Sequence, residues 1–423
     1  MIRSIFILFL IAAVPSVTRV DAADELIQVK GKYLDLTTDL QSDAEIKLIV
    51  STFDQAVLQW VSFWGDTTVD LRTFRVRACV MRDEAIFRNQ GLIPPEVPDF
   101  DFGYAMNQSI WVKAQPSEYY TRHLVLHEGV HALMFAAFDG AGTTWFQEGT
   151  AELLALHEGV GDSTRVNQIP RSREQVPFWG RFKRMDQLRA ISEIPTIETI
   201  MGYQPNLIGD VGTYGWSWAL VELFQGYPEY RKNLKTLARL GSNQGPEFNQ
   251  ELMRAFQDQW PIVTARWKLL SHDMDYGFDW DRELVDLSMD DPAWQGNPVE
   301  TLVAANRGWQ SVGVRVPGGI KIRLQPSGRI TLAETTRPWI SEPAGITFEY
   351  HRGRPLGQLL VCVLPNAISQ SEQYLNPLEI HSVDQAKEFE IQQYSWLLFR
   401  VNESGGSLGD NVGEYTVTLS QGS

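Results

Sequence analysis

Apolar residues recur at two different periods along this chain, and the change of period divides it. Residues 32–38 (KYLDLTT) alternate apolar and polar, as a half-buried strand does. Over 43–64 the apolar positions Ile46, Ile49, Val50, Phe53, Val57, Trp60, Val61 and Trp64 fall at helical spacing, so a strand followed by an amphipathic helix is expected. Residues 71–81 read as a second strand, 91–101 as a Pro/Gly-rich loop and 102–112 (FGYAMNQSIWV) as a third strand. Pro116, Ser117 and Glu118 form a helix start signal, and Gly140 with Gly142 ends the helix predicted over 118–138.

From Trp145 to about Leu287 the pattern is mainly helical, with stops near Pro170, Pro205 and Pro228. It changes at 290–298 (DDPAWQGNP), which reads as a linker. Beyond it, short runs at 312–316, 320–324, 358–364, 396–401 and 414–419 are punctuated by Gly, Pro and Ser. The expected fold is therefore α+β: a domain over 23–290 with a small mixed sheet and helices, then an all-β sandwich over 298–423 that folds by itself.

The first residues read as an address. Arg3 precedes an apolar stretch at 5–14 too short to span a bilayer, and Val20 and Ala22 stand where a signal peptidase requires small residues. A signal peptide over 1–22, cleaved after Ala22, implies a secreted or periplasmic protein with no membrane span afterwards. The formal charge of −15 would be repelled by nucleic acid, so no nucleic-acid partner is expected. Cys79 and Cys362 lie in different expected domains and read as free thiols.

The chemistry lies in His127-Glu128-Gly129-Val130-His131. Residues four apart project from one helix face, so two imidazoles can reach one ion with the intervening Glu128 beside it. A catalytic zinc needs a third protein ligand and an open position. Gly129 costs the helix about 1 kcal/mol for no gain visible in the sequence. His123, a turn earlier, is rotated off the His127–His131 midpoint and is expected in a supporting or surface role.

Downstream, Trp145-Phe146-Gln147-Glu148-Gly149-Thr150-Ala151-Glu152 has the form WxxEGxAE. With HExxH it resembles the gluzincin clan of zinc metallopeptidases, which includes thermolysin-like and aminopeptidase-like enzymes. The resemblance implies a zincin-like catalytic domain, zinc held by His127, His131 and Glu148, and Glu152 supporting a metal histidine. It also implies hydrolysis of peptide bonds by a zinc-activated water, with Glu128 as general base and a peptide or protein as substrate. Tyr214 stands near the clan's transition-state tyrosine, with a core aromatic as the other reading and Tyr203 as the alternative residue. Ala105-Met106-Asn107-Gln108 resembles the aminopeptidase GAMEN segment, but Asn107 replaces the amine-binding Glu, which points to an endopeptidase.

Three segments near the C-terminus, 308–313 (GWQSVG), 355–359 (PLGQL) and 410–413 (DNVG), resemble the PA-I type galactose-binding lectins of bacteria. That resemblance implies a calcium ion at Glu403, Asp410 and Asn411 and a carbohydrate partner. An Asx-rich turn is the other reading of these residues. The lectin's sugar-contacting His has no counterpart near His351, so specificity for galactose is not implied. The alternative function is a non-catalytic carbohydrate- or surface-binding protein on a degenerate zincin fold.

Overall fold

The structure, a computed structural model, describes residues 17–19, 26–65, 67–207, 209–333, 337–369 and 371–423. The signal peptide expected over 1–22, with its cleavage after Ala22, lies outside the described residues except at 17–19. Contacts divide the chain into two compact units, Met1–Ala137 with His157–Val166, and Phe138–Leu156 with Asn167–Ser423. The molecule mixes helices with several sheets, and its C-terminal region is strand-rich.

In the first unit, β1 (Val17–Arg19), β2 (Ile27–Lys30), β3 (Leu34–Thr38), β4 (Val76–Met81), β5 (Gly103–Met106) and β6 (Ser109–Lys113) form one sheet in the order β1-β2-β3-β4-β6-β5. β3, β4 and β6 run parallel, and α1 (Asp43–Trp64) connects the first two. Ser42 caps α1 by accepting from the Glu45 N–H, and the helix buries the predicted stripe from Ile46 to Trp64 apart from half-buried Val61.

The single strand expected over 102–112 is instead a hairpin, β5 turning back into β6. Asn107 makes the turn at φ +54°, a left-handed conformation that Asn tolerates better than most residues. Asn107 is therefore a turn residue. β5 takes the outer edge of the sheet. The strand expected over 71–81 begins only at Val76, because Asp70 gathers the Arg72 N–H in a preceding turn. A short helix, α2 (Glu84–Asn89), capped by Asp83, follows it and was not foreseen. α3 (Glu118–Phe138) spans the predicted residues, and β7 (His157–Glu158) with β8 (Arg165–Val166) completes the unit.

The second unit holds α4 (Thr144–Ala155), α5 (Arg181–Ala190), α6 (Ile197–Met201), α7 (Val211–Gly226), α8 (Arg231–Ala238), α9 (Pro246–Ala255), α10 (Trp260–Asp273) and α11 (Trp280–Glu283). Its strands are β9 (Val299–Ala304), β10 (Gln310–Val316), β11 (Ile320–Thr331), β12 (Ile340–Ser341), β13 (Ile346–His351), β14 (Arg354–Leu356), β15 (Leu359–Pro365), β16 (Glu379–Ser382), β17 (Lys387–Ile391), β18 (Ser395–Val401) and β19 (Val412–Gln421). One sheet has the order β10-β18-β15-β16. The other runs β12-β11-β19-β9, with β17 also on β11.

Alternate residues of both sheets, among them Ile322, Leu324, Val361, Phe399 and Val417, share one apolar cluster. β18 and β15 are buried on their other face as well. There Trp396, Leu398, Leu360, Cys362 and Leu364 pack with Ala265 and Leu269 of α10 and with Val285 and Leu287. Each fully buried Leu or Val contributes roughly 1.5–3 kcal/mol by leaving water.

Polar contacts cross the same boundary. The Asp273 carboxylate accepts from the Trp309 indole (2.6 Å), Arg352 (2.8 Å) and Arg400 (2.9 Å), and Arg400 also pairs with buried Glu283. Although burial opposes ionisation, Arg400, His272 and Arg352 hold the Asp273 carboxyl well below the usual range. The expected linker at 290–298 thus lies inside one compact unit. Trp294 within it is buried, and its indole donates to the Asn297 carbonyl at 2.7 Å.

Candidate metal site

Helix α3 begins where Ser117 accepts from the Tyr120 N–H, while Thr121 accepts from the Gln115 N–H. From Tyr120 to Met134 it is buried on all sides, so the polar side chains within it sit where charge must be paired or coordinated. His127, Glu128 and His131 are 5%, 7% and 4% exposed. The His127 and His131 rings, one turn apart, stand 4.9 Å from centre to centre and nearly perpendicular.

Gly129 has a packing role that its sequence context did not disclose. A Cβ there would come within 2.3 Å of the Phe53 ring and 3.0 Å of the Trp60 ring, so its absence lets α3 approach α1. Gly103, at the start of β5, is closed off in the same way by the Glu128 carboxylate. His123, expected in a supporting or surface role, is fully buried, with its ring stacked near Tyr120. His157 stacks on Tyr119 at 4.6 Å.

Helix α4 carries Glu148 and Glu152, both buried. Trp145 anchors its first turn by donating its indole N–H to Asn249 Oδ1 at 2.9 Å. Gly149 faces the Ser217 carbonyl of α7 so closely that no side chain fits, which sets the α4–α7 crossing. Glu152 Oε2 accepts from the Trp179 indole at 2.8 Å, and Oε1 accepts from Arg181 at 2.7 Å.

Trp179 and Arg181 escaped the sequence reading, since nothing in the stretch 177–181 marks them beyond a proline and a glycine. The Arg181 guanidinium also lies over the ring of Tyr214, 5.1 Å from its centre. Tyr214 is half-buried at the start of α7, against that cation. Tyr203 is also half-buried, and burial, with Asp210 and Tyr374 nearby, raises its phenol pKa above the ordinary value.

Among the described residues two triplets bring ligand atoms within 4.8 Å of one another: His127 with His131 and Glu148, and His123 with His127 and Glu152. Two imidazoles and one carboxylate, all buried, form a nitrogen and oxygen donor set suited to a borderline cation such as zinc. Buried His and Glu groups here could therefore hold a metal ion.

At the calcium position expected in the strand-rich region, the structure brings two of the three residues together. The Asn411 amide donates to Glu403 Oε2 at 2.7 Å and to the Ala305 carbonyl at 3.0 Å, with both residues buried. Asp410 is exposed. Burial, with Asp410 and Glu349 nearby, pushes the Glu403 carboxyl up to about 7 against the pull of the Asn411 bond.

No family model and no curated protein matches the chain. Among solved structures it is similar to one described as the EclA N-terminal domain, a PllA-like lectin, at 17% identity and a TM-score of 0.23, covering 29% of this chain and 95% of that one. It is also similar to Aeromonas hydrophila PliG, a periplasmic inhibitor of g-type lysozyme, at 9% identity and a TM-score of 0.18, covering 33% and 96%.

Proposed function

We propose that the chain is a secreted or periplasmic zinc-dependent hydrolase of peptide bonds, an endopeptidase. The observation that carries this reading is the convergence of His127, His131 and Glu148 within 4.8 Å, with Glu128 on the same buried helix. Three protein ligands would leave the fourth position of a tetrahedral zinc open to water or substrate.

A zinc ion held by these three residues would supply Lewis acidity to an attacking water and to the scissile carbonyl. Glu128 takes the proton of that water and passes it to the leaving amine. Glu152, fixed by Trp179 and Arg181, orients a histidine rather than contacting substrate. Tyr214 is assigned to the oxyanion, to which its phenolic O–H would donate, and the Arg181 guanidinium lies over its ring. Among the described residues no helix is long and apolar enough to cross a membrane.

To the strand-rich region we assign a carbohydrate- or surface-binding role. The exposed aromatics Phe348 and Tyr350 of β13 support it, 67% and 57% exposed respectively. Calcium is assigned to Glu403 and Asn411, with Asp410 as the solvent-side ligand. A purely non-catalytic binding protein is the competing reading.

The deciding experiment measures zinc content and hydrolysis of a quenched casein substrate, with and without chelator. His131→Ala should lose the bound zinc. Glu128→Gln should keep it and lose hydrolysis by roughly three orders of magnitude or more. Zinc retained at full stoichiometry in His131→Ala, or casein cleaved equally by Glu128→Gln, would overturn the reading.

A further inference from the structure

A cavity of about 660 Å³ opens beside α5 and α10 in the second unit. Its lining combines cations, Arg189, Lys268 and Arg352, with apolar Ile194 and Leu375; Asp186 is its one carboxylate. The walls are tied together. The Leu375 N–H donates to the Ile194 carbonyl at 2.7 Å, the Thr196 N–H donates to the Gln373 carbonyl at 3.1 Å, and the Trp267 indole donates to the Pro195 carbonyl at 2.9 Å. A volume of this size falls within the roughly 300–1,000 Å³ of pockets that enclose small organic ligands.

Two of the three cations already have partners. Arg189 pairs with Asp186 at 2.6 Å and donates to the carbonyls of Ser271 and Met274. Arg352 is held by Asp273 at 2.8 Å. Lys268 differs from both. It is 8% exposed, and among the described residues no hydrogen bond or ion pair reaches its amine.

Burial lowers the proton affinity of that amine, partly opposed by Cys362 and Glu379. The Lys268 side chain is largely buried and lines the cavity, where an ammonium with no ion-pair partner gains from an anion placed against it. Its retention at a cavity wall makes sense if the missing anion arrives with a ligand. One uncompensated charge, apolar walls and Asp186 nearby favour a monoanion over a phosphate dianion.

We propose that this cavity binds an organic carboxylate with an apolar portion, its carboxylate seated on Lys268 and its apolar part against Ile194 and Leu375. The same chemistry is offered by a free organic acid and by the C-terminus of a peptide. Isothermal titration of the full chain with hexanoate and with N-acetyl-leucine distinguishes them, and N-acetyl-leucinamide serves as the uncharged control. At least one carboxylate should bind while the amide does not. Binding of hexanoate alone identifies a free acid as the ligand class; binding of N-acetyl-leucine alone identifies a chain terminus.

Lys268→Met should reduce carboxylate affinity at least tenfold and melt no lower than the parent. Absence of binding by both acids, equal binding of acid and amide, or unchanged affinity in Lys268→Met would overturn the proposal. The comparison of acid with amide uses the unaltered chain, so it holds whether or not the variant folds.

Discussion

A methyl group on Gly103 would lie 2.6 Å from Oε1 of Glu128 and 2.9 Å from its Cγ, so the edge strand and the candidate base occupy complementary space. Gly103→Ala should therefore push the Glu128 carboxylate aside while leaving the metal ligands of α3 in place. The group that gives way is a flexible side chain, so stability should change by less than about 1 kcal/mol. Hydrolysis of casein should fall at least tenfold with zinc content unchanged. Loss of zinc together with activity would show instead that the strand supports the helix.

Arg181 and Glu152 form an ion pair in which the side chains are 6% and 0% exposed. Removing one partner strands the other in the interior. Arg181→Met should destabilise the chain by about 3–5 kcal/mol, seen as a lower midpoint in denaturant unfolding. It should also release the ring of Tyr214, which Arg181 covers. The double variant Arg181→Met with Glu152→Gln should recover part of the loss, because no uncompensated charge then remains buried. Equal losses in the single and double variants would argue against a coupled pair.

Glu403 sets a dependence on pH. Its carboxyl is raised to about 7 from an ordinary 4.5, so the folded state binds a proton more tightly than the unfolded chain. The contribution to stability is complete below pH 4.5 and is lost as pH rises through about 7. Relative to Glu403→Gln, the native chain should lose up to about 3 kcal/mol across that window, measured by chemical denaturation at a series of pH values. Millimolar calcium at about pH 8 should restore part of this loss in the native chain alone, if the ion replaces the proton. A flat difference between the two proteins across the window would remove Glu403 from consideration.

The helix carrying His127 and His131 was legible to its end residues, because its start signal, its apolar content and its terminal glycines all agree. The hairpin within 102–112 was not. Its turn is made by Asn107, whose tolerance of a left-handed backbone leaves no gap in an otherwise strand-like run. Glu148 and Glu152 stand out in the WxxEGxAE stretch downstream of HExxH, whereas Trp179 and Arg181, which bond Glu152, come from a segment without periodic pattern.

The runs 358–364 and 396–401 were read as members of an independent sandwich. A sheet open to water on one side alternates, while β15 and β18 are apolar at nearly every position. That continuity is the signature of a sheet covered on both faces. The cover is α10 with Val285 and Leu287, and the expected linker is itself held by Arg315 of β10, whose N–H donates to the Pro292 carbonyl and whose carbonyl accepts from the Trp294 N–H.

The network around Asp273 has a bearing on how this chain is made and inherited. Arg352, Arg400 and Trp309, all supplied after residue 300, close on a carboxylate at the end of α10, and Ala265 and Leu269 are sealed by β15 and β18, which are synthesised much later. During translation the helices preceding Asp273 must wait, with an oily flank open, until nearly the whole polypeptide has left the ribosome. A truncation at the apparent boundary would leave that flank permanently bare and direct the product to aggregation or proteolysis. The C-terminal strands thus serve as a tethered folding partner for the helices, and recombination could not trade them away as an interchangeable cassette.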